Sequence, residues 1–171
     1  MRRCTIRGGG EGVQFFAGGQ GTIEDCDIDV SAIGSGIHVS SGFGVVRRCV
    51  IGSTRQPLRC GQGRLEVYDS IIAGGEAAGT GPGYTIVAGS DVLIRNSHIG
   101  PGEDATIFAI LNPGEVVDVR ENWWETTSAS AIESSFLRAE CCLDGVILFE
   151  PFALEPVSAE AESVGSFKAR F

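Results

Sequence analysis

Lysine is almost missing from this chain: of 13 basic residues among 171, only Lys168 is a lysine and the rest are arginines. Against 22 acids the formal net charge is −9, which argues against a nucleic-acid partner, because phosphate binding needs a basic face. No apolar run reaches the roughly 18 residues needed to cross a bilayer as a helix. The opening, Met1-Arg2-Arg3-Cys4-Thr5-Ile6, is not followed by the apolar stretch of a secretory signal, and it reads as the middle of a repeat. Further coils are therefore expected upstream of Met1. A Gly-x-Ser-x-Gly turn, a phosphate loop and a zinc motif are all missing, which removes the commonest motif-borne chemistries.

What is present is glycine, 25 residues of it, in a chain that is 43% hydrophobic. Glycine without a three-residue period is not collagen-like, and that hydrophobic content is too high for disorder. Many short turns in one packed, strand-rich domain fit better. A six-residue pattern recurs: an apolar residue, two polar ones, a small residue, any residue, an apolar one. It reads MRRCTI (1–6), IEDCDI (23–28), VRRCVI (46–51), VYDSII (67–72), IRNSHI (94–99) and VRENWW (119–124). Its fourth positions are spaced 22, 23, 21, 27 and 25 residues apart. That period is too short for most helical repeats and carries no leucine-rich pattern. Each unit holds short alternating apolar runs cut by glycine, as in Gly36-Ile37-His38-Val39, then Val45-Val46, then Val50-Ile51-Gly52. Three short strands per turn wind as an all-β, right-handed, single-stranded parallel β-helix of about six coils. Isolated coils cannot bury their apolar face, so only the stack is stable.

In this register Cys4, Cys26, Cys49, Ser70, Ser97 and Asn122 form one interior column at a bend between two strands. Cysteines one coil apart in a rigid column cannot converge tetrahedrally on zinc; packed thiols, reduced and metal-free, are the expectation, with Cys60 on an apolar strand. Cys141-Cys142 in the tail has no assigned role. The second positions run Arg2, Glu24, Arg47, Tyr68, Arg95, Arg120 and the third run Arg3, Asp25, Arg48, Asp69, Asn96, Glu121, so opposite charges alternate along the upper coils. This pairing undercuts a calcium reading of Glu24-Asp25-Cys26-Asp27-Ile28-Asp29, whose acids do not converge as calcium ligands must.

After the coils, over 1–125, a cap is expected over 126–157 and a tail over 158–171. Ser130-Ala131-Ile132-Glu133 has the form of a capping box, and Ile132 with Phe136 gives an apolar edge, predicting a short helix over roughly 130–139 that covers the open end. An apolar strand, Gly145-Val146-Ile147-Leu148-Phe149, follows and ends in Glu150-Pro151-Phe152. The run Asn122-Trp123-Trp124-Glu125-Thr126-Thr127, the segment Ile132 to Leu137, and Leu148 to Phe152 together resemble the C-terminal part of secreted bacterial proteins with pectate-lyase-like β-helix repeats. The final residues, Ser163 to Phe171, resemble the short tail of such proteins. Glycine is usual in that family where this chain has Glu125, which places the local turn in question.

The resemblance implies an extracellular or cell-surface location and a polysaccharide as the partner to consider. Lyases of this type bind calcium through carboxylates on one strand face and abstract a proton with a basic residue. The face to search precedes each repeat pattern, and its outward residues are expected to be Gln14, His38, Arg59, Ile86 and Ala109. No aspartate cluster occurs in that row. His38 beside Arg59 is the candidate pair for an anionic sugar, with acid–base chemistry at His38 chemically open. Glu11 and Glu103-Asp104 lie in glycine-rich loops, where acids are usually only solvated, and Trp123 is a candidate for stacking on a sugar. No metal or cofactor is expected. Two readings stand: a non-catalytic structural or carbohydrate-facing module, and the C-terminal part of a polysaccharide lyase or glycoside hydrolase with its catalytic coils upstream. An uncapped first coil would also offer an edge for end-to-end contact. Ice binding would want flat threonine rows, which these charged rows are not.

Overall fold

The computed structural model describes residues 1–30, 34–52, 55–75, 81–140 and 144–156. The chain winds as a parallel β-helix with three sheets. The first holds β1 (Thr5–Arg7), β4 (Asp27–Asp29), β7 (Val50–Ile51), β10 (Ile71–Ile72) and β13 (His98–Ile99). The second holds β2 (Glu11–Phe15), β5 (Ser35–Val39), β8 (Gln56–Cys60), β11 (Tyr84–Ala88), β14 (Ala105–Ala109) and β16 (Phe136–Arg138). The third holds β3 (Gly19–Glu24), β6 (Gly42–Arg47), β9 (Arg64–Tyr68), β12 (Asp91–Arg95), β15 (Val116–Asp118) and β17 (Val146–Leu148). Every strand pairs in parallel with its equivalent one turn away, so the period of the sequence is the period of the fold.

The core follows from alternation, since successive side chains of a strand point to opposite faces. Ile28, Ile51, Ile72 and Ile99 stack in the first sheet, Ile37, Leu58, Ile86 and Ile107 in the second, and Val46, Val67 and Ile94 in the third, all fully buried. Each such side chain contributes about 1.5–3 kcal/mol relative to exposure. Turns between the second and third sheets close on glycine: Gly42 (φ +134°) stacks on Gly19, whose carbonyl would lie 2.2 Å from any added Cβ.

The corner between the third and first sheets is the most regular part of the molecule. Cys4, Cys26, Cys49, Ser70, Ser97 and Asn122 occupy it one turn apart. The amide of Cys4 donates to Cys26 Sγ (3.4 Å), that of Cys49 to Ser70 Oγ (3.1 Å), that of Ser70 to Ser97 Oγ (3.1 Å) and that of Ser97 to Asn122 Oδ1 (2.8 Å). Each side chain also donates to the carbonyl two residues before it, from Cys4 to Arg2 down to Asn122 to Arg120. The residue before each rung is left-handed and is never glycine: Arg3, Asp25, Arg48, Asp69, Asn96 and Glu121 have φ between 49° and 62°. A left-handed non-glycine residue costs about 1 kcal/mol or more, which the ladder bonds offset at every turn. The ladder cysteines Cys4, Cys26 and Cys49 are free thiols, and burial pushes the Cys49 thiol up to about 11, so it stays protonated and serves as donor and acceptor.

The six ladder corners bound about five full turns, and the last pattern opens a further, partial turn that among the described residues holds Trp123, β16 and β17. The expected closing helix needs correction. The helix α1 is shorter than 130–139: it spans Ala129–Ser134, capped by Ser128, whose Oγ accepts from the Ala131 amide. Phe136 to Arg138 leave it to pair with Ile107 to Ala109 as β16, because the exposed edge of β14 offers a whole strand of hydrogen bonds. Trp124 closes the core beneath these strands, 5.8 Å from the Phe136 ring, which in turn meets Phe149 edge-on at 5.4 Å. Ile132 of α1 is buried with them. Cys141, Cys142 and the tail 158–171 lie outside the described residues.

Candidate functional site

The outward row of the second sheet is set by its register: Gln14 opposes His38, His38 opposes Arg59, Arg59 opposes Val87, and Val87 opposes Phe108, which opposes Leu137. Ile86 and Ala109, expected outside, are in the core, 0% and 1% exposed. The strands YTIVA and ATIFA are apolar almost throughout, so alternation cannot tell their inner from their outer face; pairing does. The face is thus polar over its upper three turns and apolar below. Low on it the rings of Tyr84 and Phe108 stack with centroids 4.7 Å apart.

His38 and Arg59 do lie side by side. His38 is largely covered, with 14% of its side chain exposed, and Gln14 Nε2 lies 3.5 Å from its Nδ1. Glu11, placed by the sequence in a solvated loop, instead begins β2, and its carboxylate comes 3.8 Å from the same Nδ1. Burial lowers the His38 pKa, and the Arg59 charge lowers it further against the opposing pull of Glu11. The imidazole is therefore neutral near pH 7. Arg59 is exposed, and among the described residues no carboxylate forms an ion pair with it. Beyond Arg59 a groove of about 570 Å³ runs between the turns of neighbouring coils, lined by Gln62, Ser90, Asp91, Asn112 and Glu115 among others. Its acids are engaged: Asp91 accepts from the Val116 amide (2.9 Å), and Glu115 from the Asn112 amide and side chain (2.5 and 3.1 Å). In the lower loop Asp104 accepts from the Gly83 amide (2.7 Å).

Several of the other charged positions along the coils pair with each other or with an aromatic ring. Arg2 meets Glu24 (2.5 Å), Arg48 meets Asp25 (2.6 Å), and Arg47 lies over the Tyr68 ring. Asp118 takes both Arg120 (2.7 Å) and Arg95 (2.5 Å), and these guanidinium bonds hold its carboxyl well below the usual range. Among the described residues no three His, Cys, Asp or Glu side chains converge as metal ligands would.

Sequence reasoning missed one constellation. Trp123 pairs with His98 as the sixth rung of the first sheet, and His98 Nε2 lies 2.8 Å from Glu125 Oε1. Glu125 has φ +59°, the region that suits glycine, so the turn forms despite the substitution. The available signal was the repeat itself, which puts Trp123 directly under His98. Comparison of the chain with protein families, with curated proteins and with solved structures finds no match.

Proposed function

We propose that this chain is a non-catalytic segment of an extracellular or cell-surface β-helix protein, and that its second sheet faces a carbohydrate bearing isolated carboxylates. The observation that supports this reading is Arg59, an exposed guanidinium without an ion-pair partner among the described residues, set between a neutral His38 and a groove of mixed lining, with Gln62 and Asn112 beside Val87 and Ile110. A guanidinium is suited to a bidentate grip on one uronate. Gln62 and Asn112, both exposed on the groove, offer hydrogen bonds to neighbouring hydroxyls. The resemblance of Asn122 to Thr127 and of Leu148 to Phe152 to secreted pectate-lyase-like proteins supports the location. Catalysis is disfavoured because the acids of the groove are tied up by amides, while Glu11 is the one carboxylate seen to pair with His38 among the described residues; a glycosidase needs a pair about 5–10 Å apart across the scissile bond.

The test is a calorimetric titration with aldotriouronic acid, a single uronate on neutral sugars. Binding should weaken about tenfold or more in Arg59→Ala, with no unsaturated product or new reducing ends with or without calcium. Unchanged affinity in Arg59→Ala would refute the site. Sustained turnover lost in His38→Ala would establish instead the C-terminal part of a polysaccharide lyase or hydrolase.

A further inference from the structure

The first sheet carries a second outward row, unlike the one that holds Arg59. Its register runs Val50, Ile71, His98, Trp123, so two aliphatic side chains lead to an imidazole and an indole. Alternation points Trp123 outward, since its neighbour Trp124 is buried in the core at 5% exposure. Beside this row runs a line of small residues, Gly52, Ala73 and Gly100, each hydrogen-bonded to the preceding turn, and the line ends at Glu125. The result is a shallow shelf with an apolar floor, walled at its lower end by Trp123, His98 and Glu125.

The polar end of the shelf is fixed. His98 Nε2 holds Glu125 Oε1 at 2.8 Å, and the imidazole is itself covered, with 16% of its side chain exposed. The carboxylate is more open, at 41%, leaving its second oxygen as an acceptor toward solvent. A left-handed backbone at a non-glycine residue marks a position that its surroundings hold in place.

We infer that this shelf binds a neutral pyranose, its C–H face on the Trp123 indole and its hydroxyls donating to Glu125. An indole offers a broad apolar surface to the axial hydrogens of a sugar ring, and a carboxylate is a strong acceptor for vicinal hydroxyls. The exposed carboxylate excludes a uronate, so the ligand differs from the one proposed for Arg59, and the inference does not depend on that site.

The chain has two tryptophans, one on the shelf and one buried, so their indole N–H signals in a nitrogen-15 spectrum form a probe and its internal control. Xylotriose, cellotriose and maltotriose are titrated separately to about 10 mM, the range of weak single-ring recognition. At least one should shift the Trp123 signal in a saturable way and leave Trp124 in place. Glu125→Gly keeps the backbone conformation while removing the acceptor, and should weaken binding about tenfold; Trp123→Ala should abolish it, as read by calorimetry. Arg59→Ala should leave the neutral-sugar shift intact. The inference is overturned if none of the three sugars shifts Trp123, if Glu125→Gly binds as tightly as the parent, or if Arg59→Ala removes the response.

Discussion

The upper and lower turns of this helix share one backbone path and carry different chemistry along it. At the ladder corner the upper rungs are thiols and the lower ones are hydroxyls and an amide. On the second sheet the upper row is Gln14, His38, Arg59 and the lower is Val87, Phe108, Leu137. Sulfur is a weak hydrogen-bond acceptor and a good hydrophobe, so the upper corner is held more by packing. The lower corner is held by directed bonds, and its core is closed by Trp124, Phe136 and Phe149. The Arg59 surface thus sits above the part of the corner that is held by directed bonds.

That contrast can be broken at single residues. The largest effect is expected at Asn122, fully buried, which accepts from the Ser97 amide and donates to the carbonyls of Ile94, Val119 and Arg120. Asn122→Ala orphans these groups and should cost about 3 kcal/mol or more in chemical denaturation. Ser97→Ala removes one acceptor and one donor, so about 1–2 kcal/mol is expected. Trp124→Phe keeps the aromatic packing and removes an indole N–H that has no hydrogen-bond partner among the described residues; the change should stay within about 1 kcal/mol. Smallest is Cys49→Ser, which converts an upper rung to the lower chemistry: the better acceptor offsets the lost apolar burial, for a net change of about 0.5 kcal/mol or less. A larger loss at Cys49 than at Ser97 would overturn the contrast between the two halves.

A pH effect should also separate the halves. The folded-state pKa of His38 is depressed by burial and by Arg59, so the unfolded chain binds the proton more readily. The contribution of His38 is neutral above the unfolded value of about 6.5, and stability falls as pH drops below it toward the folded value. Arg59→Gln removes one cause of the depression and should flatten this acid-side loss, whereas Glu11→Gln removes an opposing charge and should steepen it. Thermal melts between neutral and mildly acidic pH would show both.

Much of the fold was legible because a solenoid writes its period into the sequence: small residues recur where the corner is tight, and apolar residues where strands face inward. The outer face was legible only where polar residues alternate with apolar ones, as in Ile37-His38-Val39. At Tyr84 to Ala88 every side chain is compatible with the core, and only strand pairing decides. The strand at Phe136 to Arg138 was read as helix because its partner edge, β14, is a tertiary feature. The left-handed corner residues could not be read as such, since Asp25, Asp69 and Asn96 suit that conformation but Arg3, Arg48 and Glu121 at the same position do not, and the ladder holds them all. Glu11 and Glu125 were placed in a loop and in a doubtful turn because the histidines they meet lie a full coil away.

The most direct test follows the His38 imidazole by nuclear magnetic resonance while the sugar is added. In the free protein its pKa should lie below the ordinary histidine value. Saturation with aldotriouronic acid should raise it, because a carboxylate seated on Arg59 cancels the charge that now opposes protonation. A His38 pKa unmoved at saturation would contradict the placement of the ligand on the upper face of the second sheet.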